Sequence, residues 1–332
     1  MTDAQFDVLA VGNAIVDVLA HSTDAFLEEH EIAKGGMILI DEARADALYD
    51  AMGPGVEISG GSAANSVAAL ASLGGRGAFT GKVFNDQLGE IYRHDLRSLG
   101  VVFDTPAATA GPGTGRCLIH VTPDAQRSMT TFLGAAGGVS VSDIDEAAVR
   151  AAAIVFFEGY LFEQPTPREA FHKACEIARA AGRRTALTLS DSGCVERQHA
   201  AFVEFIGANV DILFANENEA YALAETTDLE KAIARLNELA PFVAVTMSEK
   251  GSILSTNGER ATVEARKPEQ LVDTTGAGDA YAAGVLFGLS RNLPLATCGA
   301  LGSLAAAEVI SHFGARPETS LRVLAAEAGL LQ

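Results

Sequence analysis

The apolar positions along the chain form short continuous runs, separated by stretches with helical spacing. Five runs rich in β-branched residues cover 6–11, 154–157, 185–189, 211–215 and 242–247. Continuous apolar runs of this length are typical of strands buried on both faces, as in a parallel sheet. Helical spacing recurs between them, for example over 168–181 and 229–239. Strands that alternate with helices predict an α/β fold with a doubly wound, mainly parallel sheet flanked by helices.

Two regions do not follow this alternation of strands and helices. Residues 34–41 and 117–133 alternate more as antiparallel strands do, beside turns rich in Gly or Pro. They predict a small β-strand lid, inserted at approximately 18–41 and 103–134, that stands off the main sheet. No Ser/Pro-rich linker, charge run or internal repeat divides the chain. We therefore expect residues 1–332 to form a single domain.

The composition narrows the class of partner and the compartment. The 332 residues include 43 acidic and 24 basic side chains, which gives a formal charge of −19 and a pI near 4.7. Such a chain repels nucleic acid and anionic membrane surfaces. The longest dense apolar stretch, 151–157, is too short to span a bilayer, and the N-terminus lacks the features of a signal peptide. The four cysteines form no paired motif, so we expect a reducing, cytoplasmic setting.

The strongest candidate for chemistry is the segment 271–284, where a strand-like start runs through small residues into a helix. Gly276, Ala277 and Gly278 are expected at the helix N-terminus, where open N–H groups and the helix dipole favour a phosphate or a developing negative charge. Asp279 follows them. Its carboxylate either caps the helix or acts as a general base that faces the group attacking the phosphate. The tetrapeptide alone leaves both interpretations open.

Two further segments carry polar residues next to predicted helices. Gly60, Gly61 and Asn65 lead into an Ala-rich helix, and they form either a capped Gly turn or a place where a hydroxylated ligand approaches the backbone. Asn216 and Glu219 follow a predicted strand directly. They form either a capping box or a pair that orients water on Mg²⁺ and a nucleotide phosphate.

Asn13 and Asp17 follow the first predicted strand. A carboxylate in the apolar neighbourhood of Asp17 can accept two hydrogen bonds from a vicinal diol, although a capped turn explains the same pattern.

The sequence does not match several well-known functional motifs. Residues 75–82 have the wrong spacing for a Walker loop, and 111–115 contain Pro and lack the strand–turn–helix context of a dinucleotide fingerprint. Neither an H-E-x-x-H metal motif nor a G-x-S-x-G elbow is present.

In this order and spacing, the segments resemble the ribokinase-like (PfkB) carbohydrate kinase family over almost the whole chain. The motifs that carry the resemblance are the C-terminal signature at 273–284, the N-terminal signature at 60–65, the N-x-x-E element at 216–219, and the nucleotide-contacting strand and turn at 245–251. Within the family, three segments are similar to adenosine kinases: 12–17, 86–90 and 210–217.

The resemblance implies ATP-dependent transfer of a γ-phosphoryl group to a primary hydroxyl of a sugar or nucleoside. It makes Asp279 the base, and it makes the amides of Gly276, Ala277 and Gly278 the anion hole. The other roles it implies are substrate binding by Asn13, Asp17, Gly60, Gly61 and Asn65, contacts with ATP and hydrated Mg²⁺ by Asn216, Glu219, Thr246 and Gly251, and, as in many relatives, a monovalent cation such as K⁺ at Asp273 and Thr275.

We expect a ribosyl substrate, with adenosine or a related nucleoside ahead of a free sugar such as ribose or fructose. Met37 stands where eukaryotic adenosine kinases tend to place a polar base-reading residue, and Ser303 where relatives often have Asn or His near the adenine of ATP. Met37, Phe132 and Phe162 are candidates for an apolar base slot, and each also suits ordinary packing.

Two other classes of function compete with the kinase. A nicotinamide-dependent oxidoreductase would need a glycine fingerprint after the first strand, where Gly12-Asn13-Ala14 stands instead. A non-catalytic binding protein of the same fold would have no need for Asp279 and the small residues before it. The resemblance is compatible with a monomer or a homodimer.

Overall fold

The main sheet of the computed structural model has eight strands among the residues that the structure describes, which are 4–124, 126–256 and 258–331. The strands of the chain are β1 (Phe6–Val11), β2 (Ile15–His21), β3 (Met37–Leu39), β4 (Gly55–Gly60), β5 (Gly77–Thr80), β6 (Gly115–Val121), β7 (Arg127–Phe132), β8 (Ala152–Glu158), β9 (Arg184–Thr188), β10 (Ile212–Asn216), β11 (Phe242–Thr246), β12 (Ser252–Thr256) and β13 (Glu259–Val263). The main sheet has the order β13-β12-β11-β10-β9-β8-β1-β5. Its strands from β11 to β5 are parallel, and β12 and β13 add an antiparallel hairpin at one edge.

Helices cover both faces of this sheet. They are α1 (Asp24–Glu29), α2 (Glu42–Ala51), α3 (Ser62–Ser72), α4 (Gln87–Ser98), α5 (Glu146–Ala151), α6 (Pro165–Ala180), α7 (Ser192–Arg197), α8 (His199–Asn209), α9 (Glu217–Ala224), α10 (Leu229–Leu239), α11 (Ala277–Ser290), α12 (Leu295–Val309) and α13 (Leu321–Glu327). Successive side chains of β1 alternate between two cores. Val8 and Ala10 pack with α3, α11 and α12, whereas Leu9 and Val11 pack with α6 and α8. The predicted doubly wound α/β fold is confirmed, and the five predicted buried strands correspond to β1, β8, β9, β10 and β11.

A second sheet of five strands has the order β3-β7-β6-β2-β4. It contains the strands expected near 34–41 and 117–133, and it also recruits β4, which lies outside both predicted lid segments. One of its faces packs against α1 and α2, because Val16, Val18 and Leu118 share a core with Leu27 and Leu48. The opposite face carries Ile15, Asp17 and Cys117, since side chains alternate along each strand.

Short connections bring the two sheets together at the candidate site. Three residues separate β1 from β2 of the second sheet, and one residue separates β4 from α3. Strands β1, β8, β10 and β11 are parallel. Their carboxyl ends therefore lie at one edge of the main sheet, where α/β proteins bind their ligands. In the described part of the chain, no helix is both long and apolar enough to cross a membrane.

Candidate active site

The residues of the predicted anion hole lie at the N-terminus of α11. Gly276 precedes the helix with a φ of 77°, a left-handed conformation that favours glycine. The helix has no side-chain cap. The N–H of Ala277 donates to the carbonyl oxygen of Thr274 at 3.3 Å, whereas the N–H groups of Gly278 and Asp279 have no partner among the described residues and are open to an anion. Asp279 lies in this turn without capping the helix, which removes the capping interpretation of that residue.

Asp279 instead points toward α3. Ser62 Oγ donates to Asp279 Oδ1 at 2.6 Å, and Asn65 Nδ2 donates to Oδ2 at 3.0 Å. Burial raises the pKa of Asp279, while the hydrogen bonds from Ser62 and Asn65 and the charge of Arg316 oppose the increase. Both carboxylate oxygens thus have donors, which is the arrangement that stabilises an ionised carboxylate. The structure brings together Asp279, Asn65 and the three predicted anion-hole residues.

Asp17 lies against the predicted glycine pair. A Cβ on Gly60 would lie 2.3 Å from Asp17 Oδ2, and a Cβ on Gly61, whose φ is 95°, would lie 2.1 Å from the carbonyl oxygen of Asn13. These glycines therefore permit a close approach that other residues would block. Asp17 accepts no hydrogen bond from the described residues, and burial raises its pKa to about 7.

Glu158, which the sequence reasoning missed, holds this arrangement together at the end of β8. Its buried carboxylate accepts hydrogen bonds from the N–H of Asn13 at 2.8 Å, from the side-chain amide of Asn13, and from the N–H of Ala63 at 2.9 Å. Burial raises the pKa of Glu158 to about 7 against the lowering effect of these bonds. A polar residue directly after a buried apolar run was the signal that could have identified it.

A cleft of about 380 Å³ connects the N-terminus of α11 to the carboxyl ends of β10 and β11. Asn216, Glu219 and Thr246 line it together with Gly276, Ala277, Gly278 and Asp279. Asn216 and Glu219 form a capping box, in which both carboxylate oxygens of Glu219 accept hydrogen bonds from Asn216. Burial raises the pKa of Glu219 to about 7. Gly251 lies outside the residues that line this cleft, in the turn between β11 and β12, where its φ is 93°.

Asp273 ties the anion-hole loop to the second sheet. Its Oδ1 accepts hydrogen bonds from the N–H and hydroxyl of Thr275, at 3.1 and 2.8 Å. Its Oδ2 accepts one from the N–H of Gly314 at 3.1 Å and forms an ion pair of 2.6 Å with Arg127 of β7. Arg127 is itself buried and stacks on the ring of Phe313 at 5.3 Å. No pattern in the sequence marked this arginine.

The comparisons with known proteins agree with this geometry. The pattern of the pfkB family carbohydrate kinases matches residues 40–321. This chain belongs to that family. The predicted relationship is therefore confirmed, as is the prediction of a phosphotransferase that uses ATP and a hydroxyl acceptor, and the oxidoreductase alternative is excluded.

Several relatives cover nearly the whole kinase. The structure of adenosine kinase from Sinorhizobium meliloti shares 49% sequence identity, with a TM-score of 0.90 over 98% of this chain and 100% of its own. The structure of a probable sugar kinase from Rhizobium etli shares 45% identity, with a TM-score of 0.92 over 99% of this chain and 100% of its own. Adenosine kinase 2 of Arabidopsis thaliana is 27% identical over 92% of this chain and 94% of its length.

The three apolar candidates for a base slot have different positions in the kinase. Phe162 is wrong as a candidate, because it is fully buried in the core beneath the main sheet and stacks on Phe202 at 4.1 Å. Phe132 lies on the face of β7 opposite to that of Asp17, beside Arg116 at 5.9 Å. Met37 is half exposed on β3 and shares the face of Asp17.

Proposed function

We propose that the chain transfers the γ-phosphoryl group of ATP to the primary hydroxyl of a nucleoside, with adenosine or a close relative as the preferred substrate. Two relatives named above are adenosine kinases. We also propose that residues 1–332 act as a single kinase domain, as a monomer or homodimer. A cytoplasmic setting agrees with the need for ATP and with four buried cysteines that are unpaired in the described structure.

The observation that carries the nucleoside proposal is an apolar row across the second sheet. The strand register places the row in the order Val56, Leu19, Ile119, Met129 and Met37. It shares a face with Asp17, because Leu19 lies two residues after Asp17 on β2. Val56 and Met37 are 63% and 51% exposed. A purine base needs an apolar surface beside the group that binds its ribose, whereas a free sugar does not.

The proposed mechanism uses the groups of the site in sequence. Asp17 accepts hydrogen bonds from the ribosyl hydroxyls, and Asn13 and Asn65 complete the polar side of the substrate site. Asp279 accepts the proton of the attacking primary hydroxyl. The amides of the α11 N-terminus stabilise the charge that builds on the transferring phosphoryl oxygens. Arg127 adds donors nearby, since its Nε and Nη2 are buried without partners among the described residues.

We assign ATP and Mg²⁺ to the cleft beside Asn216, Glu219 and Thr246. The described residues contain no cluster of three metal-ligating side chains. Both oxygens of Glu219 already accept hydrogen bonds from Asn216, so this pair fits a hydrated cation held through water. Mg²⁺ bound there would neutralise phosphate charge.

We leave K⁺ out of the proposal. The carboxylate of Asp273 already accepts from four donors, the N–H and hydroxyl of Thr275, the N–H of Gly314, and Arg127. Four acceptor positions are all that a carboxylate offers, and a buried guanidinium repels a second cation. The residues present therefore do not fit a monovalent cation, and Arg127 supplies the positive charge instead.

The test is an ATP-consumption assay across adenosine, inosine, ribose, fructose and their phosphates. We expect adenosine to have the largest kcat/KM, and Met37→Gln to raise the KM for adenosine about fivefold to tenfold through the loss of apolar contact. Val323→Gln is the matched control, because Val323 is 52% exposed and lies on α13. A preference for a sugar or sugar phosphate would overturn the nucleoside proposal and favour the sugar kinase suggested by the Rhizobium etli relative.

A further inference from the structure

Arg316, in the loop that follows α12, connects the substrate side of the site to Asp279. Its Nε donates to Asn65 Oδ1 at 2.8 Å, and its Nη2 donates to the carbonyl oxygen of Ser59 and to Ser59 Oγ at 3.1 Å. The N–H and Oγ of Ser59 both donate to the carboxylate of Asp95 on α4. The guanidinium thus donates to Ser59 from Nη2 and to Asn65 from the adjacent Nε.

This contact sets the orientation of the Asn65 amide. A guanidinium can only donate, so the amide oxygen of Asn65 must face Arg316. The amide nitrogen then faces Asp279 and donates to its Oδ2 at 3.0 Å. In the flipped orientation, the amide nitrogen would oppose the guanidinium and the amide oxygen would oppose the carboxylate. Arg316 therefore selects the orientation in which Asn65 stabilises an ionised Asp279.

The charges around Asp279 make this stabilisation necessary. Burial raises its pKa, whereas Ser62, Asn65 and Arg316 lower it. The titratable groups that face Asp279 from the other elements are acids, namely Asp17 of β2, Glu158 of β8, Glu219 of α9 and Tyr160. Arg316 is the positively charged residue that acts on Asp279, and its charge lowers the pKa of this carboxyl.

We propose that Arg316 is a positioning residue for phosphoryl transfer, which orients Asn65 and supplies the charge that keeps Asp279 ionised as the general base. The inference rests on the proposed role of Asp279. It holds for whichever hydroxyl compound the kinase accepts, because the contacts involve no substrate atom.

The experiment measures kcat/KM between about pH 5.5 and about pH 9 for the wild-type chain, Arg316→Met and Arg316→Lys. Arg322→Met, at an exposed arginine of α13, is the matched control. In Arg316→Met we expect the acid limb to move upward by about one pH unit, so that the loss is about tenfold greater at the acid end than at the alkaline end. Arg316→Lys should move the limb by less than Arg316→Met does, since it keeps the charge, and should lose kcat, since an ammonium lacks the paired planar donors of the guanidinium.

Each other outcome overturns the proposal. A loss in Arg316→Met that is uniform across pH would show a purely structural role, and a limb shifted as far in Arg316→Lys as in Arg316→Met would refute the role of the charge. If Arg316→Met is too unstable to assay, Arg316→Lys in an Asn65→Ser background decides. There the kcat loss of Arg316→Lys should vanish, and additive losses would contradict orientation through Asn65. Asp279→Asn separates the two proposals, because near-normal activity in that variant refutes the base itself.

Discussion

Replacement of Gly276 by alanine tests the geometry of the anion hole. An added Cβ would lie 2.6 Å from Ala315 Cβ and 2.7 Å from Ala315 Cα, and the φ of Gly276 is 77°. Holding alanine in the left-handed region costs about 1 kcal/mol. The contact with backbone cannot be relieved by a side-chain rotation, and overpacking of this kind costs about 1–3 kcal/mol. We therefore expect a total destabilisation of about 2–4 kcal/mol.

Gly278→Ala is the matched control in the same turn. An added Cβ there meets no heavy atom within 4 Å, and its φ is not positive. Alanine is also the better helix former, by up to about 1 kcal/mol. The unfolding entropy is about 2.1 cal/mol/K per residue, and the chain has 332 residues. A destabilisation of about 2–4 kcal/mol in Gly276→Ala therefore corresponds to a decrease in Tm of about 3–6 °C. Gly278→Ala should leave Tm unchanged or raise it by about 1 °C.

The assay combines thermal unfolding followed by circular dichroism with steady-state kinetics. In Gly276→Ala, pressure on Ala315 should also displace Gly314 from Asp273, so we expect kcat to fall at least about tenfold. A Gly276→Ala variant with the Tm and kcat of the wild-type chain would show that Gly276 is not packed against Ala315. Equal losses of Tm in both variants would contradict this packing as well, because only one of them has a steric conflict.

Three further predictions follow from the site. Asp279→Asn should keep the fold and ATP binding while kcat falls by about 10²–10⁴-fold; near-normal turnover would exclude Asp279 as the base. Replacing K⁺ with tetramethylammonium should leave the rate and Tm of the wild-type chain unchanged, because Arg127 occupies Asp273, whereas Arg127→Ala should gain a Tm that rises with K⁺; a K⁺-dependent wild type would contradict this. The pKa of Glu158 is raised from 4.5 to about 7, so its contribution to stability is present below about pH 4.5 and is lost as the pH rises through 7. That contribution is about 3 kcal/mol, and urea unfolding should show a flatter pH dependence in Glu158→Gln; an equal slope would argue against it.

The parts of the fold that could be predicted are those encoded by neighbouring residues. Strand β8 is a continuous apolar run that ends at a carboxylate, and helix α10 occupies the predicted range 229–239. A strand buried on both faces, such as β8, requires a continuous apolar run. A helix packed on one face, such as α10, requires apolar residues at helical spacing. Each pattern can be recognised from neighbouring residues alone. Strand β4 was missed as part of the second sheet because Gly55–Gly60 combines two glycines with a glutamate and a serine. Its pairing with β2 supplies the stability that its own composition lacks.

In the candidate site, too, residues that are close in sequence could be predicted, whereas contacts between distant segments could not. Gly276 and Asp279 occur within one turn of a helix, so the sequence alone predicted that they lie close together. Arg316 bonds to Asn65 across 251 positions of the chain, and Arg127 bonds to Thr275 across 148. A hydrogen bond between such distant segments creates no periodicity, spacing or composition near either partner. These two arginines could be assigned only after the fold had placed their loops beside α3 and α11.

The two arginines also explain how a chain with a formal charge of −19 can hold a polyphosphate. The positive potential comes from the N-terminus of α11 and from Arg127 and Arg316, which lie among carboxylates rather than on an open basic surface. Asp17 has a pKa raised to about 7 and no donor in the described residues. A diol that donates two hydrogen bonds stabilises the ionised form of such a carboxylate. The proposed substrate therefore supplies the donors that Asp17 lacks, and the unfavourable charge of the free site becomes a source of affinity for a ribosyl group.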